Sequence, residues 1–241
     1  MSAFKTVAGV MGAASFALVA LSTLIYTGDG GWRGTLLAGM ATIWGLRLSA
    51  YLTWRNWGTG EDYRYRAMRS RHGKRFPWVS FFTVFLMQGG FTWFVSLPLQ
   101  LGIASSGPSR MGALDVLGLG LWLVGLVFEA TGDAQLARFR ADPSNAGRVM
   151  DRGLWRYTRH PNYFGDAMVW WGLYLVAAST SAGVYTVLSP LLMQVLLMRV
   201  SGVALLEKKL KRSRPEYGDY VSRTNAFYPW LPRRPRKESP G

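Results

Sequence analysis

Glu129, Asp133 and Arg140 recur at i, i+4 and i+11, a spacing that at 100° per residue sets all three on one stripe of a helix. The stripe leaves an apolar run and enters a basic segment, where Pro143 marks its latest end. Two carboxylates and a guanidinium on one face need three partners, and a bound polar ligand would supply them. A second constellation lies in the stretch from Gly153 to Asp166. It sets Tyr157, Arg159, His160, Asn162, Tyr163 and Asp166 immediately before and within the start of another apolar run. A helix N-terminus offers free N–H groups and a positive dipole end, which suit a phosphate or carboxylate. Pro161 fits the first helical position, and Arg159 and His160 add charge-assisted hydrogen bonds. The plainer alternative is a helix cap with interfacial aromatics, but this cluster exceeds what a cap requires. Elsewhere Arg199 sits in the last apolar run with Glu207 two turns on. Arg47 lies in the second run, with Arg55, Asn56 and Gly58 at its inner end, and Gln88 lies midway along the third. Arg47 and Gln88 read as snorkelling or interhelical hydrogen-bonding residues.

Several chemistries are poorly served. The chain has no Cys and two His, so thiolate chemistry and a disulfide framework are absent and a zinc or di-metal site has too few ligands. No Ser-His-Asp order and no P-loop pattern occur, and His72 reads as a solvated residue of an Arg-rich loop.

The elements that must carry these residues are membrane helices. Six long apolar runs stand at roughly 6–26, 33–54, 78–103, 112–131, 163–180 and 184–206. Runs of about 18 or more apolar residues read as bilayer spans. The expected fold is therefore all-α and polytopic, with about six transmembrane helices. The first run is longer than a signal-peptide core and lacks a cleavage site, so it reads as an uncleaved span. Of the 28 Lys and Arg residues, 23 fall in segments 55–77 and 132–161 and in the tail from 207. The positive-inside rule puts these segments, and with them both termini, in the cytoplasm. Topology thus explains most of the +15 charge, and a nucleic-acid partner is not expected. No stretch between runs is long enough for a soluble domain. Residues 1–228 read as one membrane domain with its cofactor half at about 112–228, and the basic, Pro-rich tail 229–241 reads as disordered on anionic membrane lipid.

The segment Arg55-Asn-Trp-Gly with Glu61-Asp62, the Arg159-His-Pro-Asn-Tyr163 element and the closing Glu207-Lys-Lys…Tyr217-Gly-Asp-Tyr run resemble one bacterial membrane family. It is the DUF1295-type group related to the C-terminal domain of steroid 5α-reductases. The likeness spans nearly the whole chain. More distantly, the same stretch is similar to isoprenylcysteine carboxyl methyltransferases. The first resemblance implies a multi-pass protein of the bacterial inner membrane that uses NADPH to reduce a C=C bond conjugated to a carbonyl in a lipophilic small molecule. In that family an Asn-x3-Asp-x6-Arg stripe, a Gly-x-Asn-(Phe/Tyr)-x-Gly-Glu segment and a last-span Arg contact the cofactor. Here Glu129 stands at the Asn position and Asp133 and Arg140 match. Asn162, Gly165 and Asp166 match with Asp for Glu, and Arg199 matches the last-span Arg. The chain departs where the family carries a His and a Tyr after that Arg, which are Val203 and Glu207 here. The family's catalytic Glu and Tyr on early spans have no counterpart, so the cofactor half of the resemblance is the stronger half.

What the resemblance implies for NADPH is phosphates near Arg140, Arg159, His160 and Arg199, with Glu129 and Asp133 on ribose or carboxamide groups. Tyr51, near the inner end of the second run, is the candidate donor that polarises the substrate carbonyl. Two alternatives stay open. One is a methyltransferase with S-adenosylmethionine in the same pocket, where Glu207 and Glu129 would suit its ribose and amino group. The other is a non-enzymatic membrane accessory protein. The supply of arginines favours a phosphate-bearing cofactor.

Overall fold

The computed structural model describes residues 3–28, 31–57, 63–200, 203, 207, 210, 214 and 216–233. Among the described residues the chain is all-helical and has no strand. Contacts divide it into two compact units, one of residues 1–116 with 173–189 and one of residues 117–172 with 190–241.

In the first unit, α1 (Ala3–Thr27) and α2 (Gly31–Asn56) are joined at Gly28 and Gly31, whose φ of 73° and 57° are conformations that L side chains rarely adopt. The two helices meet through small residues. Ala13, Ala17 and Ala20 of α1 are buried, and a Cβ on Gly45 of α2 would stand 2.7 Å from the Ala13 carbonyl oxygen. Trp44 fills the space beside them, 5.9 Å from the Phe16 ring.

The basic segment is helical as well: α3 (Tyr63–His72), a 3-10 turn (Gly73–Arg75) and α4 (Phe76–Ser80), followed by a π-helical stretch (Phe81–Leu86) and α5 (Met87–Val95). His72 ends α3 half-buried instead of lying in a solvated loop. The third apolar run, expected as one span, is broken at Ser96. There α5 stops and α6 (Leu97–Ala104) starts with Pro98 in its first turn. Proline has no N–H to return to the carbonyl four residues back. That carbonyl belongs to Phe94, and the Ser189 hydroxyl donates to it at 2.8 Å.

In the first turn of α2 the Arg33 guanidinium grips Asp115 with both arms, Nε to Oδ1 at 2.7 Å and Nη2 to Oδ2 at 2.8 Å. Nη1 donates to the Pro108 carbonyl at 2.9 Å, and the Gly112 amide caps Oδ2 at 2.9 Å. Both charged groups are buried, so the start of α7 (Ala113–Ala141) is bolted to the start of α2.

The second unit is organised by α7 and α8 (Pro161–Ala177), which pack almost backbone to backbone. A Cβ on Gly125 would lie 2.6 Å from the Gly165 carbonyl oxygen, one on Gly165 2.5 Å from the Glu129 amide, and one on Gly172 2.6 Å from the Gly118 carbonyl oxygen. Glycines seven apart on both helices therefore form a seam that admits no side chain. The unit continues through α9 (Leu188–Val195), a π-helical turn (Leu196–Val200) and α10 (Tyr217–Arg223).

Among the described residues, two helical stretches, Arg66–Val95 of 30 residues and Ala113–Ala141 of 29, are long and apolar enough to cross a membrane. Ala13–Thr27 and Gly183–Arg199 are apolar but shorter. Large apolar side chains stand exposed along both long stretches, among them Trp78, Phe81, Phe82 and Trp93 on one and Leu117, Leu123, Val124 and Val127 on the other. Water disfavours such surfaces and lipid does not.

Candidate functional site

The helix α7 runs unbroken from Ala113 to Ala141, so Glu129, Asp133 and Arg140 do share one stripe. Glu129 and Asp133 are buried, at 3% and 4% exposure, while Arg140 is exposed in the last turn. The glycine seam brings the start of α8 against this stripe. Gly132 leaves room for Pro161, whose Cγ would stand 3.1 Å from a Cβ there. One residue on, the Asn162 side-chain Nδ2 donates to Asp133 Oδ1 at 3.3 Å. Asp166, one turn further along α8, is buried too. The Asn162 Oδ1 atom is buried and has no hydrogen-bond partner among the described residues. Glu129, Asp133, Asn162 and Asp166 are thus two i, i+4 pairs on helices that touch. They form an acceptor-rich polar strip within an otherwise apolar seam, suited to hydroxyl, amide or ammonium donors.

The loop ahead of α8 holds a second cluster. Arg159 Nε donates to Glu207 Oε1 at 2.8 Å, and His160 Nε2 lies 3.3 Å from the same oxygen. Arg159 Nη1 donates to the Val221 carbonyl at 3.2 Å and to the Thr224 carbonyl. The His160 ring stacks on Tyr163, 5.5 Å apart and 9° from parallel. The anion that Arg159 and His160 hold is therefore internal: it is the carboxylate of Glu207. Burial alone would push that carboxyl up, but the hydrogen bonds from His160 and Arg159, with their charges, outweigh it and hold it at about 2.

Two tyrosines of α10 complete this cluster. Burial, together with the nearby Glu207 charge, pushes the Tyr217 hydroxyl up to about 12 against the opposing pull of Arg159. Burial raises Tyr220 further, and its hydroxyl donates to the Trp155 carbonyl. Both phenols remain protonated donors across the physiological range. Along the same seam residues 224–230 run beside 156–159. The Arg159 amide donates to the Asn225 carbonyl at 2.9 Å, the Thr158 hydroxyl to Phe227 at 2.8 Å, and the Trp230 amide to Tyr157 at 2.9 Å. The first residues of the tail, expected to be disordered from 229, are accordingly tied down as far as Arg233, whose amide donates to the Arg223 carbonyl at 2.8 Å. Residues 234–241 lie outside the described residues.

Of the sequence-derived candidates, Glu129, Asp133, Asn162, Tyr163, Asp166, Arg159, His160 and Glu207 fall within these two clusters. Tyr157 is 39% exposed at the edge of the second, and Arg199 is exposed in the π-helical turn. Tyr51, Arg55 and Asn56 belong to the first unit, at the end of α2, where the Arg55 guanidinium lies 5.4 Å over the Tyr51 ring. Glu61 and Asp62 lie outside the described residues. Thr158, Tyr217, Tyr220 and Thr224 were not expected as site residues. A Tyr-x-x-Tyr pair at helical spacing inside a basic segment was the signal for two of them.

The family model DUF1295, described as a protein of unknown function, matches residues 1–224. An uncharacterised protein of Schizosaccharomyces pombe is 24% identical over 221 residues, covering 83% of this chain and 64% of the yeast protein. This chain thus spans less than two thirds of that relative's length. No solved structure matches. These matches bear out the DUF1295-type resemblance and do not extend it to the steroid 5α-reductases. With residues 1–224 of its 241 inside one family model, the chain belongs to the DUF1295 family.

Proposed function

We propose that the chain is a six-span protein of the bacterial inner membrane, with both termini cytoplasmic, that reduces a conjugated C=C bond of a lipophilic substrate with NADPH. The observation that carries this reading is the Asp133–Asn162 contact, which joins two halves of the expected cofactor motif across α7 and α8. NADPH, when bound, supplies the hydride. The buried acceptors Glu129, Asp133 and Asp166 would receive ribose hydroxyls and the carboxamide, and Asn162 Oδ1 offers a further acceptor. Arg140 and Arg199, both exposed, would take the phosphates. Arg159 and His160 would serve through Glu207 by fixing the loop that begins α8. Tyr51 stays the proposed donor to the substrate carbonyl.

One observation favours a second reading, a membrane methyltransferase. The buried polar strip is acidic and Arg159 is spent on Glu207, which suits the cationic S-adenosylmethionine as well as it suits a nucleotide. A titration of the purified protein with NADPH, followed by nicotinamide fluorescence, separates the two. Saturable binding that weakens about tenfold in Asp133→Ala, the worth of one buried hydrogen bond to a charged group, supports the reductase. Micromolar binding of S-adenosylmethionine with none of NADPH refutes it.

A further inference from the structure

The segment that follows α10 has more order and more apolar surface than a tail requires. Phe227 is 3% exposed and packs into a core with Ala167, Leu197 and Val203. The next residue, Tyr228, lies against Phe164 with ring centroids 6.3 Å apart, and its hydroxyl accepts from Gln194 Nε2 at 2.7 Å. Gln194 in turn accepts from the Trp171 indole at 2.9 Å. Phe164 stands in the first turn of α8 and Trp171 lies deeper along it. The chain at Tyr228 therefore runs at the level where the apolar helix begins.

Beyond it the backbone is pinned by the Trp230 and Arg233 amides, yet the side chains point outward: Tyr228 is 53% exposed, Trp230 71% and Leu231 73%. Arg156 and Arg233 are exposed beside this segment, and Arg223 is partly so. A fixed backbone that presents two aromatics and a leucine, flanked by guanidinium groups, has the composition of an interfacial anchor. Aromatic rings favour the headgroup level, and arginines favour anionic headgroups.

We propose that Tyr228–Leu231 is a membrane-surface anchor that inserts Trp230 and Leu231 through the headgroups to the acyl boundary of an anionic bilayer. This rests on the membrane-spanning reading of α7, and the test separates the two. The chain has no cysteine, so single nitroxide labels are site-specific. Labels are placed on Trp230→Cys, Leu231→Cys, Ser222→Cys on the exposed part of α10, and Leu123→Cys on an exposed position of α7, in nanodiscs containing phosphatidylglycerol. Each label is then relaxed by oxygen, which partitions into lipid, and by a water-soluble nickel chelate. Oxygen is expected to dominate at 123, 230 and 231 and the chelate at 222. Because residues 230 and 231 are largely exposed, neither substitution removes packing that the fold needs. If the chelate dominates at 230 and 231 while oxygen dominates at 123, the anchor is refuted and the span stands. If it dominates at 123 as well, both fall.

Discussion

Replacing Glu207 by Gln tests the central electrostatic claim, because it keeps the shape of the carboxylate and removes its charge. The side chain is 13% exposed and holds Arg159 Nε at 2.8 Å, while the Arg159 side chain is itself 9% exposed. Holding the carboxyl at about 2 instead of 4.5 corresponds to ~3 kcal/mol of folded-state preference for the charged form. Loss of one partner of a buried pair costs about 3–5 kcal/mol, so the two routes agree on ~3 kcal/mol for Glu207→Gln. The folded-state value is depressed, so this stability is present above pH 4.5 and is lost as pH falls toward 2. Unfolding of the purified protein in mixed micelles, followed by far-UV circular dichroism, should show a lowered midpoint at pH 7. The midpoint of the parent should fall below pH 4.5, and that of the variant should fall less. Arg159→Gln should cost more than Glu207→Gln, because it also releases the Val221 and Thr224 carbonyls. The double variant should cost clearly less than the sum of the singles. A cost for Glu207→Gln under about 0.5 kcal/mol, or strict additivity, would refute the reasoning.

Three further outcomes follow from other parts of the molecule. Asp115→Asn leaves the buried Arg33 without its bidentate anion and should cost about 3–5 kcal/mol in the same unfolding assay. The double variant Arg33→Met/Asp115→Leu should be less damaging than that single. Gly165→Ala, whose Cβ would fall 2.5 Å from the Glu129 amide, should cost about 1–3 kcal/mol by forcing α7 and α8 apart. Gly120→Ala, with nothing within 4 Å of its Cβ, should be neutral or stabilising. Arg140→Ala should weaken NADPH binding about tenfold, with a lessened dependence on salt.

The helices were legible where one physical rule acts locally. Long apolar runs mark α1, α2 and α7, Pro143 bounds the end of α7 at Ala141, and Pro161 opens α8. The glycines at 118, 125 and 132 and at 165 and 172 also stand in plain sight at a period of seven, and they set how closely the stripe and the cap approach. Other features depend on partners far away in the chain. The break at Ser96 follows from Pro98, but the hydroxyl that satisfies Phe94 comes from Ser189. Arg159 read as a ligand-binding cation because nothing local indicates that Glu207, 48 residues on, holds it. Residues 229–233 read as disordered from composition, which does not register the backbone hydrogen bonds that hold them.

The pairing of Arg159 with Glu207 changes what the site asks of its arginines. A guanidinium that already holds a carboxylate and two carbonyls has little capacity left for a phosphate, and freeing it would expose a buried charge. Its contacts are positional: they tie the loop before α8, which leads into Asn162, to Glu207 and to the end of α10. The same logic separates Arg33, buried on Asp115, from Arg140, which lies exposed at the end of the acidic stripe. A basic composition therefore overstates the cationic surface offered to a ligand. On the proposed reading, a phosphate would be recognised at exposed guanidinium groups, while the buried strip made by Glu129, Asp133 and Asp166 would favour donors. A ligand with a polyanionic end and a hydroxyl-rich or amide-bearing end satisfies both demands, and one that is wholly anionic does not.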